Sequence, residues 1–186
     1  MRARTTTLVM GLLSALSVPL MAQDATPAPS PPPACTDADY RQFDFWIGDW
    51  EVFGGPDGSR LLGHNRIERS DNGCWLQEHW TGTTGPSGTS LNSWDKAYGV
   101  WRQYWSGGGG MVLRLEGGLR EGRMVLEGVL PGPGGEGEQA QRITWTPNDD
   151  GSVTQLWETS DDAGATWKTA FQGRYRKRAT ADPATP

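Results

Sequence analysis

The chain has 186 residues, with 17 Lys and Arg against 22 Asp and Glu and a formal charge of −5. This acidic balance argues against nucleic acid or anionic membrane as a partner. The length allows one ordinary domain plus terminal extensions.

Residues 1–22 read as a signal peptide. Arg2 and Arg4 supply the positive start, residues 8–20 the apolar stretch, and Ala22 a small residue for cleavage. Cleavage removes two arginines and no acid, leaving 15 basic against 22 acidic residues and a mature charge near −7. The mature protein is expected in the periplasm or outside the cell, without a membrane span. Residues 23–34 carry Pro27, Pro29, Pro31, Pro32 and Pro33 and read as an extended spacer. A similar Ala/Pro/Thr tail occupies 179–186, so the expected folding unit is 35–178. Cys35 and Cys74 are the two cysteines. Behind a signal peptide an even count favours a disulfide, with two buried free thiols as the alternative.

A short helix is expected over 36–43, with Thr36 as its cap and Asp39 three residues on. After it, turn signals such as Pro56-Asp57-Gly58, Asp71-Asn72-Gly73, Glu121-Gly122 and Asp149-Asp150-Gly151 recur at hairpin spacing. Between them lie about ten strand candidates: 49–53, 61–68, 75–81, 89–94, 100–105, 111–119, 123–130, 141–146, 152–159 and 166–176. Short successive connections imply an all-β, antiparallel, up-and-down meander. A meander this long closes to remove its edges, so a barrel is favoured over a sandwich.

Alternation assigns faces within the strands. Glu78 and Trp80 share one face, as do Ser90, Asn92 and Trp94. So do Trp101, Gln103 and Trp105, and again Gln155 and Trp157. If these faces line a barrel, Glu78, Trp80, Asn92, Trp101, Gln103, Trp105, Gln155 and Trp157 surround a small-molecule ligand. Alternatively the amides satisfy buried indole N–H groups and the interior is filled. Ser160-Asp161-Asp162-Ala163-Gly164-Ala165-Thr166-Trp167 matches the Asp-box pattern S-x-D-x-G-x-T-W. Its Asp162, Gly164 and Trp167 are expected to brace a hairpin turn rather than to act on a substrate.

Catalytic signals are thin. His64 and His79 form no metal-binding pair, no Cys/His cluster has zinc spacing, and no G-x-S-x-G occurs. Glu78 and His79 are adjacent in a strand and so point to opposite faces. No catalytic residue and no metal site is assigned.

Phe43-Asp44-Phe45-Trp46-Ile47-Gly48-Asp49-Trp50 resembles the F-D-F-W-x-G-x-W opening of a family of exported bacterial proteins of lipocalin-like, calycin-type fold without an established activity. The similarity continues through Leu76-Gln77-Glu78-His79-Trp80 and Gln155-Leu156-Trp157-Glu158-Thr159-Ser160. It implies a barrel in which Trp50, following Gly48, plugs the closed end beneath a basic residue of the last strand, Arg174 or Arg176. A remoter similarity is to nitrobindin-type ten-stranded barrels, which bind haem through a histidine; it makes haem a candidate cofactor, although that histidine cannot be aligned onto His64 or His79, and no other cofactor is implied. The expected function is binding of a small apolar or aromatic ligand. A structural or interaction module of the envelope is the second reading, and a hydrolase the third.

Overall fold

The computed structural model describes residues 34–178. The expected signal peptide, the spacer up to residue 33 and the tail 179–186 lie outside the described residues. Ten antiparallel strands form one closed barrel in simple up-and-down order. They are β1 (Gly48–Gly54), β2 (Arg60–Arg69), β3 (Trp75–Gly82), β4 (Gly88–Asp95), β5 (Val100–Gly107), β6 (Val112–Arg120), β7 (Arg123–Pro131), β8 (Glu138–Pro147), β9 (Val153–Ser160) and β10 (Lys168–Lys177). β1 pairs with both β2 and β10, which closes the ring and leaves no free edge strand.

Local chemistry explains the hairpins. Between β6 and β7, Glu121 and Gly122 hold φ of 51° and 77°. Two positive φ values are what a two-residue hairpin needs to match the strand twist. Bulges interrupt β2 at Leu62, opposite Val52 and Phe53 of β1, and β10 at Ala170, between Thr169 and Phe171. The second bulge offsets Lys168 and Thr169 from the rest of β10, where Phe171, Gly173 and Tyr175 share the inner face by simple alternation.

The expected helix is two short 3-10 turns, Ala38–Arg41 and Asp44–Trp46. Asp37, not Thr36, precedes the first, and no side chain caps it. The segment is held by other bonds. Cys35 and Cys74 form a disulfide. Arg41 donates to the Cys35 and Gly73 carbonyls at 2.7 and 2.6 Å, and Arg69 pairs with Asp44.

Held in this way, the segment fills one end of the barrel. Phe43 stacks on Trp46 with ring centroids 4.8 Å apart, and meets Trp101 and Trp145 edge-on at 5.7 and 5.2 Å. Trp50 is fully buried and donates its indole N–H to the Trp46 carbonyl at 2.9 Å. The F-D-F-W-x-G-x-W block is therefore the plug of the closed end.

The cation over Trp50 is Lys177, 5.5 Å from the ring centroid, and Lys177 is also the register partner of Trp50. This corrects the expectation for Arg174 and Arg176. Tyr175 takes the inward position between them, which turns both arginines out. Arg174 pairs with Asp150 at 2.7 Å, and Arg176 lies over the Phe53 ring at 4.7 Å.

The Asp-box residues stabilise the β9–β10 hairpin. Asp162 accepts the Ser160 hydroxyl at 2.7 Å and the Thr166 N–H and hydroxyl at 2.8 and 2.6 Å. These bonds hold its carboxyl well below the ordinary range, at about 2. At Gly164 (φ 88°) an added Cβ would meet the Trp167 ring at 3.4 Å, and the face of that ring carries the Arg142 guanidinium at 3.9 Å.

Candidate functional site

Opposite the plug, the lumen is open. A cavity of about 310 Å³ lies between the inner faces of the strands, under the β3–β4 connection at Thr84, Gly85 and Pro86. Its walls are aromatic: Trp80 of β3, Trp105 of β5, Trp145 of β8, Trp157 of β9 and Phe171 of β10, with Leu113 and Ile143. Trp80 and Phe171 meet edge-to-face at 6.2 Å. The polar residues that line it are Glu78, Thr84, Gln103, Gln155 and Tyr175, and no Lys, Arg or His is among them.

Glycines make room for these flat walls. A Cβ at Gly107 would stand 2.0 Å from the Trp105 ring, and one at Gly88 would stand 2.6 Å from it. The indole lies across backbone that only glycine leaves bare.

Pairing register assembles the polar floor. Glu78 stands opposite Ser90, and Asn92 stands opposite Gln103. The Gln103 amide donates to Asn92 Oδ1 at 2.7 Å, the Asn92 amide to Ser90 Oγ at 2.9 Å, and the Ser90 hydroxyl to Glu78 Oε2 at 2.6 Å. From the other side, Asn65 Nδ2 donates to Glu78 Oε1 at 2.7 Å and to the Tyr175 hydroxyl at 3.2 Å. Tyr175 in turn donates to Gln155. Donors from two directions thus converge on one carboxyl. Glu78 is 5% exposed, and this burial pushes its pKa up while the Ser90 and Asn65 bonds oppose the rise. Burial also pushes the Tyr175 hydroxyl well up, and the nearby Glu78 charge adds to that.

Of the eight residues expected around a ligand, Glu78, Trp80, Gln103, Trp105, Gln155 and Trp157 line this cavity. Trp101 belongs to the plug, where it donates to Gln42 at 3.1 Å. Asn92 is fully buried behind the cavity and acts on it through Ser90 and Gln103. The amides divide between the two roles that the sequence left open. Gln141 satisfies the Trp157 indole at 2.9 Å, whereas Gln103 belongs to the chain of bonds leading to Glu78.

Sequence reasoning missed Asn65, Ser90, Phe171 and Tyr175 as site residues. The alternation already placed Ser90 with Asn92, and that signal could have found it. Tyr175 stands within the basic run Arg174-Tyr175-Arg176-Lys177-Arg178, whose charges read as a solvated strand.

His79 lies on the outer face, 4.0 Å from Glu68 and away from Glu78. His64 neighbours inward Asn65 and so also faces out. With no histidine or basic residue on the cavity wall, the residues do not fit haem. Among the described residues, no group of three or more His, Cys, Asp and Glu is placed to hold a metal ion.

The architecture fits a lipocalin-like fold: a closed antiparallel barrel with one end plugged and the other leading to an internal cavity. No known protein family matches the sequence, and no curated protein is significantly similar to it.

Proposed function

We propose that this protein is an exported binding barrel that holds a small apolar or aromatic molecule in the Trp-lined lumen. The observation that carries this reading is the cavity itself. At about 310 Å³ it lies at the small end of the range for ligand pockets, and it joins apolar walls to a few convergent polar groups. The rings of Trp80, Trp105, Trp145, Trp157 and Phe171 offer flat surfaces, while Glu78, Gln103 and Gln155 offer orientation. Export is supported by the Cys35–Cys74 disulfide, which persists in oxidising compartments. Among the described residues no helix is long and apolar enough to cross a membrane.

The competing reading, a structural module with a filled core, gains support from the tryptophan plug but accounts for only that half of the lumen. Native mass spectrometry of protein purified from its own host tests the choice. A bound small molecule is expected on the wild type and is expected to be lost in Leu113→Trp, which fills the lumen. An unliganded wild type that is also not stabilised thermally by small aromatic compounds would favour the structural module.

A further inference from the structure

We infer that the lumen selects an organic cation: a small ammonium group attached to an apolar or aromatic body, with the charge held at Glu78. The inference rests on the reading of the lumen as a binding site and names the chemistry it prefers.

Glu78 supplies the formal charge of the cavity lining; none of the other lining residues is Asp, Lys, Arg or His. The carboxyl is buried and its protein partners are all neutral: Ser90 at 2.6 Å and Asn65 at 2.7 Å. A protein that merely needed a satisfied core at this point would pair the acid with a base or use an apolar side chain. Here the surrounding bonds run the other way. Gln103, Asn92 and Ser90 pass donors in sequence toward Oε2, and Asn65 aims an amide donor at Oε1. These donors favour the carboxylate while burial opposes it, and the arrangement brings no positive charge of its own to decide the balance. The partner that completes it is a cation arriving through the lumen.

The walls suit the same ligand. Trp80, Trp105, Trp157 and Phe171 surround the space above Glu78. Aromatic faces carry negative quadrupole density, and cages of such rings hold ammonium and methylated ammonium groups. They also accept the apolar remainder of the molecule by stacking. An anion of the same size meets a buried carboxylate and no counter-charge. Fatty acids and other carboxylates are therefore disfavoured, although the interior is apolar enough to hold their chains. The acidic mature chain, near −7, adds a long-range field of the same preference.

A charge series on one phenyl body tests this. The full exported protein is titrated with 2-phenylethylammonium, 2-phenylethanol and 3-phenylpropanoate at pH 7.5, read by calorimetry and tryptophan fluorescence. The ammonium is expected to bind at least about tenfold more tightly than the alcohol, with the propanoate weakest. In Glu78→Gln, with folding checked by circular dichroism, the ammonium-to-alcohol ratio should fall to near one. If the alcohol or the propanoate binds the wild type as well as the ammonium does, the cation preference is overturned while the lumen remains a binding site. If none of the three binds, the binding-site reading falls with it. The wild-type series decides the matter even where the variant fails to fold.

Discussion

Glu78 on β3 and Ser90 on β4 face each other directly across two strands, and the Ser90 hydroxyl donates to the Glu78 carboxyl at 2.6 Å. Register alone brings them together, because both lie on the inner face at opposed positions. The pair places an acid where water has little access, so its protonation is coupled to folding.

Burial raises the Glu78 pKa above its ordinary 4.5 in the folded protein. The folded state therefore binds its proton more tightly than the unfolded chain. The resulting stabilisation is complete below 4.5 and is lost as pH rises through the folded value. Chemical denaturation of wild type and Glu78→Gln across pH 4 to 8 measures this. The wild type should lose stability relative to the variant as pH rises, by up to about 1.4 kcal/mol per pH unit inside that window. A pH-independent difference would show that Glu78 does not titrate there.

Trp50 is fully buried, and its indole meets both the Trp46 carbonyl and the Tyr175 ring. Trp50→Ala should cost about 3–5 kcal/mol in urea unfolding, the ordinary loss for a large core aromatic. A cost below about 1 kcal/mol would mean that the plug contributes little to the barrel.

The disulfide spans 39 positions, and it tethers the segment carrying Phe43 and Trp46 to the start of β3. Chain-entropy reasoning for a loop of that length gives about 4 kcal/mol. Reduction, or Cys35→Ala with Cys74→Ala, should lower the denaturation midpoint accordingly. The near-ultraviolet circular dichroism of the tryptophan plug should weaken at lower denaturant than in the oxidised protein. An unchanged midpoint would show that Arg41 and Arg69 suffice to hold the segment.

Gly107 lies under the Trp105 ring, where a Cβ would come within 2.0 Å. Gly107→Ala must push the indole away from its backbone seat, and the space available to it is the lumen. The expected result is a shifted Trp105 indole N–H resonance, weaker binding of aromatic ligands, and a stability loss of about 1–3 kcal/mol. An unshifted resonance with intact binding would place the ring's freedom elsewhere.

Much of the fold was legible in the chain because its signals are local. Positive-φ turn residues and two-residue alternation mark the strands and divide inner from outer side chains without knowledge of any partner. That is why Glu78, Trp80, Gln103, Trp105, Gln155 and Trp157 could be placed on inner faces, and why Cys35 and Cys74 could be paired by count and context. Depth along the barrel axis is different, since it depends on which residues stand opposite each other across strands. Only the closed register put Trp101 in the plug, set Asn92 behind the cavity floor, and placed Lys177 rather than Arg174 or Arg176 over Trp50. Phe171 shares the face of Tyr175 by alternation, but only the pairing of β10 with β9 set its ring opposite Trp157 in the lumen. Convergence of Asn65, Ser90 and Tyr175 around Glu78 likewise joins three other strands to β3. Alternation is a property of one strand, whereas a site is built from many, and only their pairing determines which side chains meet.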